Sequence, residues 1–342
     1  MVKKYAITAA LIVSMSLGVC GCSSNTDNTT SSPSSENSPT SATEQPTSTP
    51  TSSSSRKEFK DEDVDISNTT SKGRYCFEKL NDNEKLYYEK IRKAVESHYW
   101  GLFWNNRDCS KETAEKLVKY VAYDYPEYFW YSDKSGGVDM MTDKLIKRIT
   151  IHNNYTEDDK GKIQPELEKA VQTYTDSAKD LKSDYEKALN AYEYIIKNTE
   201  YVADGGATLD SLQDVESDKT MLALWNMTGV FVDKKASDRG YAQAFEYLMQ
   251  QAGIECSYVQ GADNGFWNVV KLDGEWYCVD VGAGDSTDAE IDYSYFAITS
   301  EQMATVHKTD TENFVAELPE CTATADNYFV KNPSTKETNH FA

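Results

Sequence analysis

Residues 236–245 read Ala236-Ser237-Asp238-Arg239-Gly240-Tyr241-Ala242-Gln243-Ala244-Phe245, and three related blocks follow them. These are Gly253-Ile254-Glu255-Cys256, Gly265-Phe266-Trp267-Asn268, and Leu272-Asp273-Gly274-Glu275-Trp276-Tyr277 running into Val279-Asp280-Val281. Tyr241, Phe245, Leu248, Met249 and Ala252 recur at helical spacing, so Gly240–Ala252 is expected as a helix that buries this stripe. Gly253 tolerates the left-handed backbone at which such a helix stops. Glu255–Gln260 is expected as a strand. Trp267–Leu272 and Glu275–Val281 flank Asp273-Gly274, a two-residue turn signal, and are expected as a hairpin. Helix, strand, hairpin is an α+β order.

These blocks resemble the core of the transglutaminase-like superfamily. There the pattern runs Cys-x-Gly-Tyr-Ala, then His-Ala-Trp-Asn, then Leu-Asp-Gly-x-Trp-Tyr-x-x-Asp. The resemblance covers about 75–330, with specific motifs only in 236–285. It implies a papain-like α+β fold with the nucleophile at a helix N-terminus and the His and Asp on neighbouring strands. It also implies a Cys-His-Asp triad, and here the pattern breaks. Asp238 stands at the Cys position, Gly265 at the His position, and only Asp280 matches. In an intact triad a thiolate attacks an amide carbonyl, the His and the helix N-terminus lower the thiol pKa, and the Asp orients the His. A carboxylate at a helix N-terminus is held ionised by the dipole and is a poor nucleophile toward an amide. Gly265 offers no base and leaves room where an imidazole would sit. The expectation is therefore a non-catalytic domain, without cofactor or metal, whose vestigial groove of Asp238, Tyr241, Trp267 and Asp280 binds peptide or glycan.

Other readings of the same residues stay open. Ser237 is a substitute nucleophile if a histidine reaches it, but His98, His152, His307 and His340 all lie outside the motif. Asp238 and Asp280 could bracket a water, as paired carboxylates do in inverting glycosidases. With Asp285 they could hold a divalent cation. The plainer reading makes Asp238 a helix cap and Asp280 a hydrogen-bond acceptor. Trp267, Trp276 and Tyr277 either line the groove or fill space between hairpin and helix, with Trp267 and Tyr277 sharing a side if the register is regular. A filled groove would make the domain an inert spacer or adhesin.

The N-terminus addresses location. Lys3 and Lys4 precede an apolar run from about Ala6 to Val19, too short to span a bilayer comfortably. It ends in Val19-Cys20-Gly21-Cys22, which resembles a bacterial lipoprotein cleavage box. Gly21 before Cys22 fits better than Val19 before Cys20, so 1–22 is expected as a signal peptide and Cys22 as the lipidated residue. Residues 23–56, nearly all Ser, Thr, Pro, Asn and Gln with a few Glu, bury too little apolar area to order and are expected as a disordered stalk. The expected setting is the bacterial cell surface, with the lipid in the membrane and a cell-wall peptide, glycan or protein as ligand. A net charge of −21 argues against nucleic acid and anionic lipid headgroups as partners.

Residues 57–200 read as a helical N-terminal region and 201–342 as the core with a C-terminal tail. Asn81 with Glu84, and Ser183 with Glu186, are capping-box starts. Tyr87, Ile91, Ala94, Val95 and His98 form one stripe, and Leu117, Val118, Val121 and Tyr125 form another that stops at Tyr125-Pro126. Lys144–Ile151 alternates as a strand, and 157–182 reads as a solvated helix. The aromatic run Tyr120–Tyr131 is either a stacking platform for ligand or packing for the core, and packing is the more common use. Beyond the signal region, Cys76, Cys109, Cys256, Cys278 and Cys321 show no metal-ligand spacing, and their disulfide pairing stays open. Cys256 and Cys278 are expected as buried fillers.

Overall fold

The computed structural model describes residues 69–103, 109–132, 136–142, 145–203, 219–285, 290–308, 316–335 and 338–341. The expected signal peptide, Cys22 and stalk lie outside the described residues. The first elements are helices α1 (Tyr75–Glu78) and α2 (Asp82–Glu96), strand β1 (Gly101–Phe103) and helix α3 (Lys111–Asp124). Asn81 accepts from Glu84 N–H while the Glu84 side chain accepts from Asn81 N–H, so the capping box starts α2. Ser110 caps α3, which ends where Tyr125 precedes Pro126. His98 falls outside α2, with a left-handed φ of 57°, so the expected stripe is one residue too long. Strands β2 (Gly136–Thr142) and β3 (Leu145–Ile151) complete an antiparallel sheet of order β1-β3-β2.

Helices α4 (Glu157–Ala178) and α5 (Asp184–Asn198) follow. α4 buries only Leu167, Val171 and Tyr174, consistent with a largely solvated helix. Strand β4 (Glu200–Tyr201) leads to α6 (Lys219–Leu224), a π-helical turn at Gly229–Asp233, and β5 (Lys235–Ala236), which pairs parallel with β4. Helix α7 (Asp238–Gln251) comes next, and Gly253 (φ 74°) ends the turn beyond it. β6 (Cys256–Gln260), β7 (Phe266–Leu272) and β8 (Glu275–Val279) form an antiparallel meander. Asp273 (φ 48°) and Gly274 (φ 96°) are both left-handed, as the two-residue turn requires. β8 stops at Val279, and Val281–Asp285 is a short helix, α8, so the second hairpin strand is shorter than expected. Helices α9 (Ser300–Val306) and α10 (Tyr328–Lys331) lie in the tail.

The helical part and the core share one interior. Tyr123 of α3 meets Tyr258 of β6 edge-on at 5.4 Å, and Tyr75 of α1 meets Trp276 of β8 at 5.6 Å. The Asp124 carboxylate accepts from Cys76 N–H and Phe77 N–H, both at 2.8 Å, and from the Tyr88 hydroxyl at 2.7 Å. Tyr125, Tyr128, Phe129, Trp130 and Tyr131 are buried, with Tyr125 and Tyr128 stacked at 4.8 Å, so most of the aromatic run is packing. Among the described residues no helix is long and apolar enough to cross a membrane.

Candidate functional site

Asp238 opens α7, with Ser237 as its N-cap in extended backbone. The Ser237 hydroxyl donates to the Leu224 carbonyl at 3.1 Å, and its N–H donates to the same oxygen at 2.9 Å. Ser237 is 2% exposed. Its hydroxyl is therefore committed to the end of α6, which corrects its reading as a substitute nucleophile. Asp238 Oδ1 accepts from the Tyr201 hydroxyl. A Cβ at Gly282 would lie 3.0 Å from that oxygen, so the Asp238 carboxylate rests against the first turn of α8.

Asp280 sits just beyond β8 and is 2% exposed. Its Oδ1 accepts from Ala283 N–H at 2.9 Å, capping α8, and its Oδ2 lies 2.7 Å from Nε2 of His307. That histidine is the residue the motif reading missed. It is the C-cap of α9, and its ring fills the space beside Gly265. A Cβ at Gly265 would fall 2.1 Å from His307 Nδ1 and 2.4 Å from Cε1. The room expected to be empty thus holds an imidazole delivered from another element. The ring stacks on Trp267 with centroids 5.2 Å apart and planes 9° apart.

Asp263 holds this arrangement in place. Its Oδ1 accepts from Gly265 N–H at 3.2 Å and its Oδ2 from Lys308 N–H at 3.0 Å. Ala262 N–H donates to the Lys308 carbonyl at 3.1 Å. One carboxylate thereby clips the start of β7 to the segment after α9. Asp263 Oδ2 also lies 3.5 Å from His307 Nδ1. Burial alone would lower the His307 pKa, but the hydrogen bond and charge of Asp280, with the charges of Asp263 and Asp238, raise it above 6.5. The surrounding carboxylates thus favour the protonated form of the ring over the neutral form that a general base requires.

The other expected groove residues are covered. Tyr241 is 0% exposed, and its hydroxyl donates to Asp285 and, at 3.2 Å, to the Thr199 carbonyl. Trp267 is 2% exposed beneath His307. Tyr277 pairs with Val270, so the regular register puts it on the sheet face opposite Trp267, three residues away from Val270, and not on the same side. Tyr201, Asp238, Asp285 and His307 are half-buried, so part of each meets solvent. The cysteines Cys76, Cys109, Cys256, Cys278 and Cys321 are all free thiols and all buried. Among the described residues no group of His, Cys, Asp or Glu is arranged to hold a metal ion.

Residues 169–281 match the family model of the transglutaminase-like superfamily. No curated protein shows significant similarity to the chain. Among solved structures, the chain is similar to a TGase at 14% identity, over 56% of this chain and 52% of that one, with a TM-score of 0.30. It is also similar to a protein from Cytophaga hutchinsonii named as an inferred cysteine protease, at 18% identity over 36% and 42% of the two chains, with a TM-score of 0.25. The chain spans about half the length of these structures or less.

Proposed function

Residues 169–281 form a transglutaminase-like domain, and from that premise we propose that this domain binds a ligand at the bacterial cell surface without performing thiol acyl transfer. The observation that carries the reading is the group at the nucleophile position. Asp238 is a carboxylate at a helix N-terminus, engaged by Tyr201, and the nearby imidazole is clamped by Asp280. A carboxylate attacking an amide would have to expel the amine and form a higher-energy anhydride, and a carboxylate is a weak nucleophile, so the family reaction has no productive first step here. Tyr201, Asp238 and His307 form the reachable patch, with a carboxylate on one side and an imidazole on the other. Anchoring through Cys22 and a stalk over 23–56 would place that patch at the envelope, where a cell-wall peptide or glycan is the ligand.

A second reading is favoured by one specific observation, the arrival of His307 beside Asp280. Asp238, His307 and Asp280 could then work as a hydrolase that activates water, with neutral His307 as the base that takes the water proton. The two readings separate in one experiment. The protein is incubated with peptidoglycan fragments and a generic protein substrate, and products are followed by mass spectrometry for wild type, Asp238→Asn and His307→Gln. The binding reading expects fragments retained by the wild type and no new product in any arm. Product formed by the wild type and lost in both variants would replace binding with hydrolysis.

A further inference from the structure

Residues 317–324 belong to no helix, strand or turn, so this part of the tail is held by contacts with other elements. One pair of contacts ties it to the start of α9. Ser300 N–H donates to the Cys321 carbonyl at 2.8 Å, and Cys321 N–H donates to the Ser300 hydroxyl at 3.0 Å. Ile298, two residues before Ser300, is in turn bridged to β8. Its N–H donates to the Cys278 carbonyl at 2.9 Å, and Cys278 N–H donates to the Ile298 carbonyl at 2.8 Å. Cys278 and Cys321, far apart in sequence, are thus fixed from two sides to the same short run, 298–300.

These anchors bring the two sulfurs together. The Cys278 and Cys321 thiols share a hydrogen bond, and the Ser300 hydroxyl bonds with both. Cys278 is 3% exposed and Cys321 is 1% exposed. The bond with Cys278 lowers the Cys321 thiol, while the same bond, and then burial, raises Cys278. Cys321 is therefore the readier thiolate of the pair. The other three thiols are governed first by burial and then by a carboxylate: Asp124 for Cys76, Glu84 for Cys109 and Glu246 for Cys256. All five are free thiols in this structure, which for Cys278 and Cys321 is the reduced form of a pair.

We propose that Cys278 and Cys321 form a disulfide that clips the tail to β8, made as the chain folds by exchange with an external disulfide. The Cys321 thiolate attacks one sulfur of that disulfide. The external S–S bond breaks, one thiolate leaves with the Cys321 proton, and a mixed disulfide remains. Cys278 then gives up its proton and attacks the Cys321 sulfur, expelling the second thiolate, which takes that proton. Two protein thiols lose two electrons, and one external disulfide gains them to become two thiols. Once the tail has closed, burial shields the bond from reductant, and the flanks of α9, including its His307 end, are held between two covalently joined elements.

The test uses the full-length chain, reduced and unfolded in urea, then refolded with oxidised glutathione as the external disulfide. Remaining thiols are blocked with iodoacetamide in denaturant, and peptides are read by mass spectrometry without reductant. Cys278 is expected joined to Cys321, with Cys76, Cys109 and Cys256 alkylated. The urea midpoint of the oxidised protein is expected about 1 M above that of the same protein reduced. In Cys321→Ala that difference between the oxidised and reduced samples is expected to vanish. Alkylation of both Cys278 and Cys321 would overturn the proposal, as would glutathione left on either sulfur or a link from either to a different cysteine. A Cys278–Cys321 link that leaves the urea midpoint unchanged would overturn the clip as well. The decisive reading is made on the wild type, so poor folding of the variant does not affect it.

Discussion

The pairing of Gly265 with His307 exchanges volume as well as chemistry. An interior is close-packed, so a glycine where a family pattern has histidine must be matched by a group from elsewhere. Gly265→Ala should test this directly, because its Cβ would overlap the His307 ring, 2.1 Å from Nδ1. Displacing the imidazole from Trp267 and Asp280 is expected to cost about 1–3 kcal/mol in urea unfolding, and unchanged stability would count against the packing described. His307 also makes stability depend on pH. Its folded pKa lies above the ordinary 6.5, chiefly because Asp280 outweighs the effect of burial. The folded state then holds the proton more tightly than the unfolded chain. This stabilisation is complete below about pH 6.5 and fades as pH rises through the folded pKa. Urea midpoints across that window should fall for the wild type and flatten for His307→Gln.

Elements with a local start signal are the most legible. α2 and α5 begin at the capping boxes Asn81/Glu84 and Ser183/Glu186, and the structure contains both. β3 (Leu145–Ile151) and the β7–β8 turn also follow from short-range pattern, alternation in one case and Asp-Gly in the other. α1 carries no such signal. Its first N–H groups are satisfied by Asp124, which lies 47 and 48 residues further along. Asp124→Ala should leave two backbone donors and the Tyr88 hydroxyl without an acceptor in a buried place. At about 1–3 kcal/mol for each such group, a loss of roughly 3 kcal/mol or more is expected. Far-UV circular dichroism during denaturant melts would measure it, and a change below about 1 kcal/mol would show that the network matters less than its geometry suggests.

At the scale of the molecule, helical part and core protect each other's interior, and the thiols record that. Burial raises the Cys76 and Cys256 thiols well above their ordinary value and takes Cys109 to about 11. Cys278 is raised by its neighbour Cys321 and by burial. Thiols of this kind are inert as nucleophiles. Iodoacetamide near neutral pH should therefore modify Cys76, Cys109, Cys256 and Cys278 only as fast as the fold opens. Peptide mass spectrometry with and without denaturant reads this out, and rapid labelling of any of the four in the native protein would reveal a reactive thiol that the fold hides.

The local pattern by itself determined the helix, strand and hairpin order of 236–281, the caps of the N-terminal helices, and the loss of the thiol at Asp238. These are decided within one element or one turn, where periodicity, capping and turn chemistry act over a few residues. Only the tertiary structure decided what stands in the place of the missing imidazole. His307 arrives from the end of α9, clipped by Asp263 across the start of β7, and no short-range rule links position 265 to position 307.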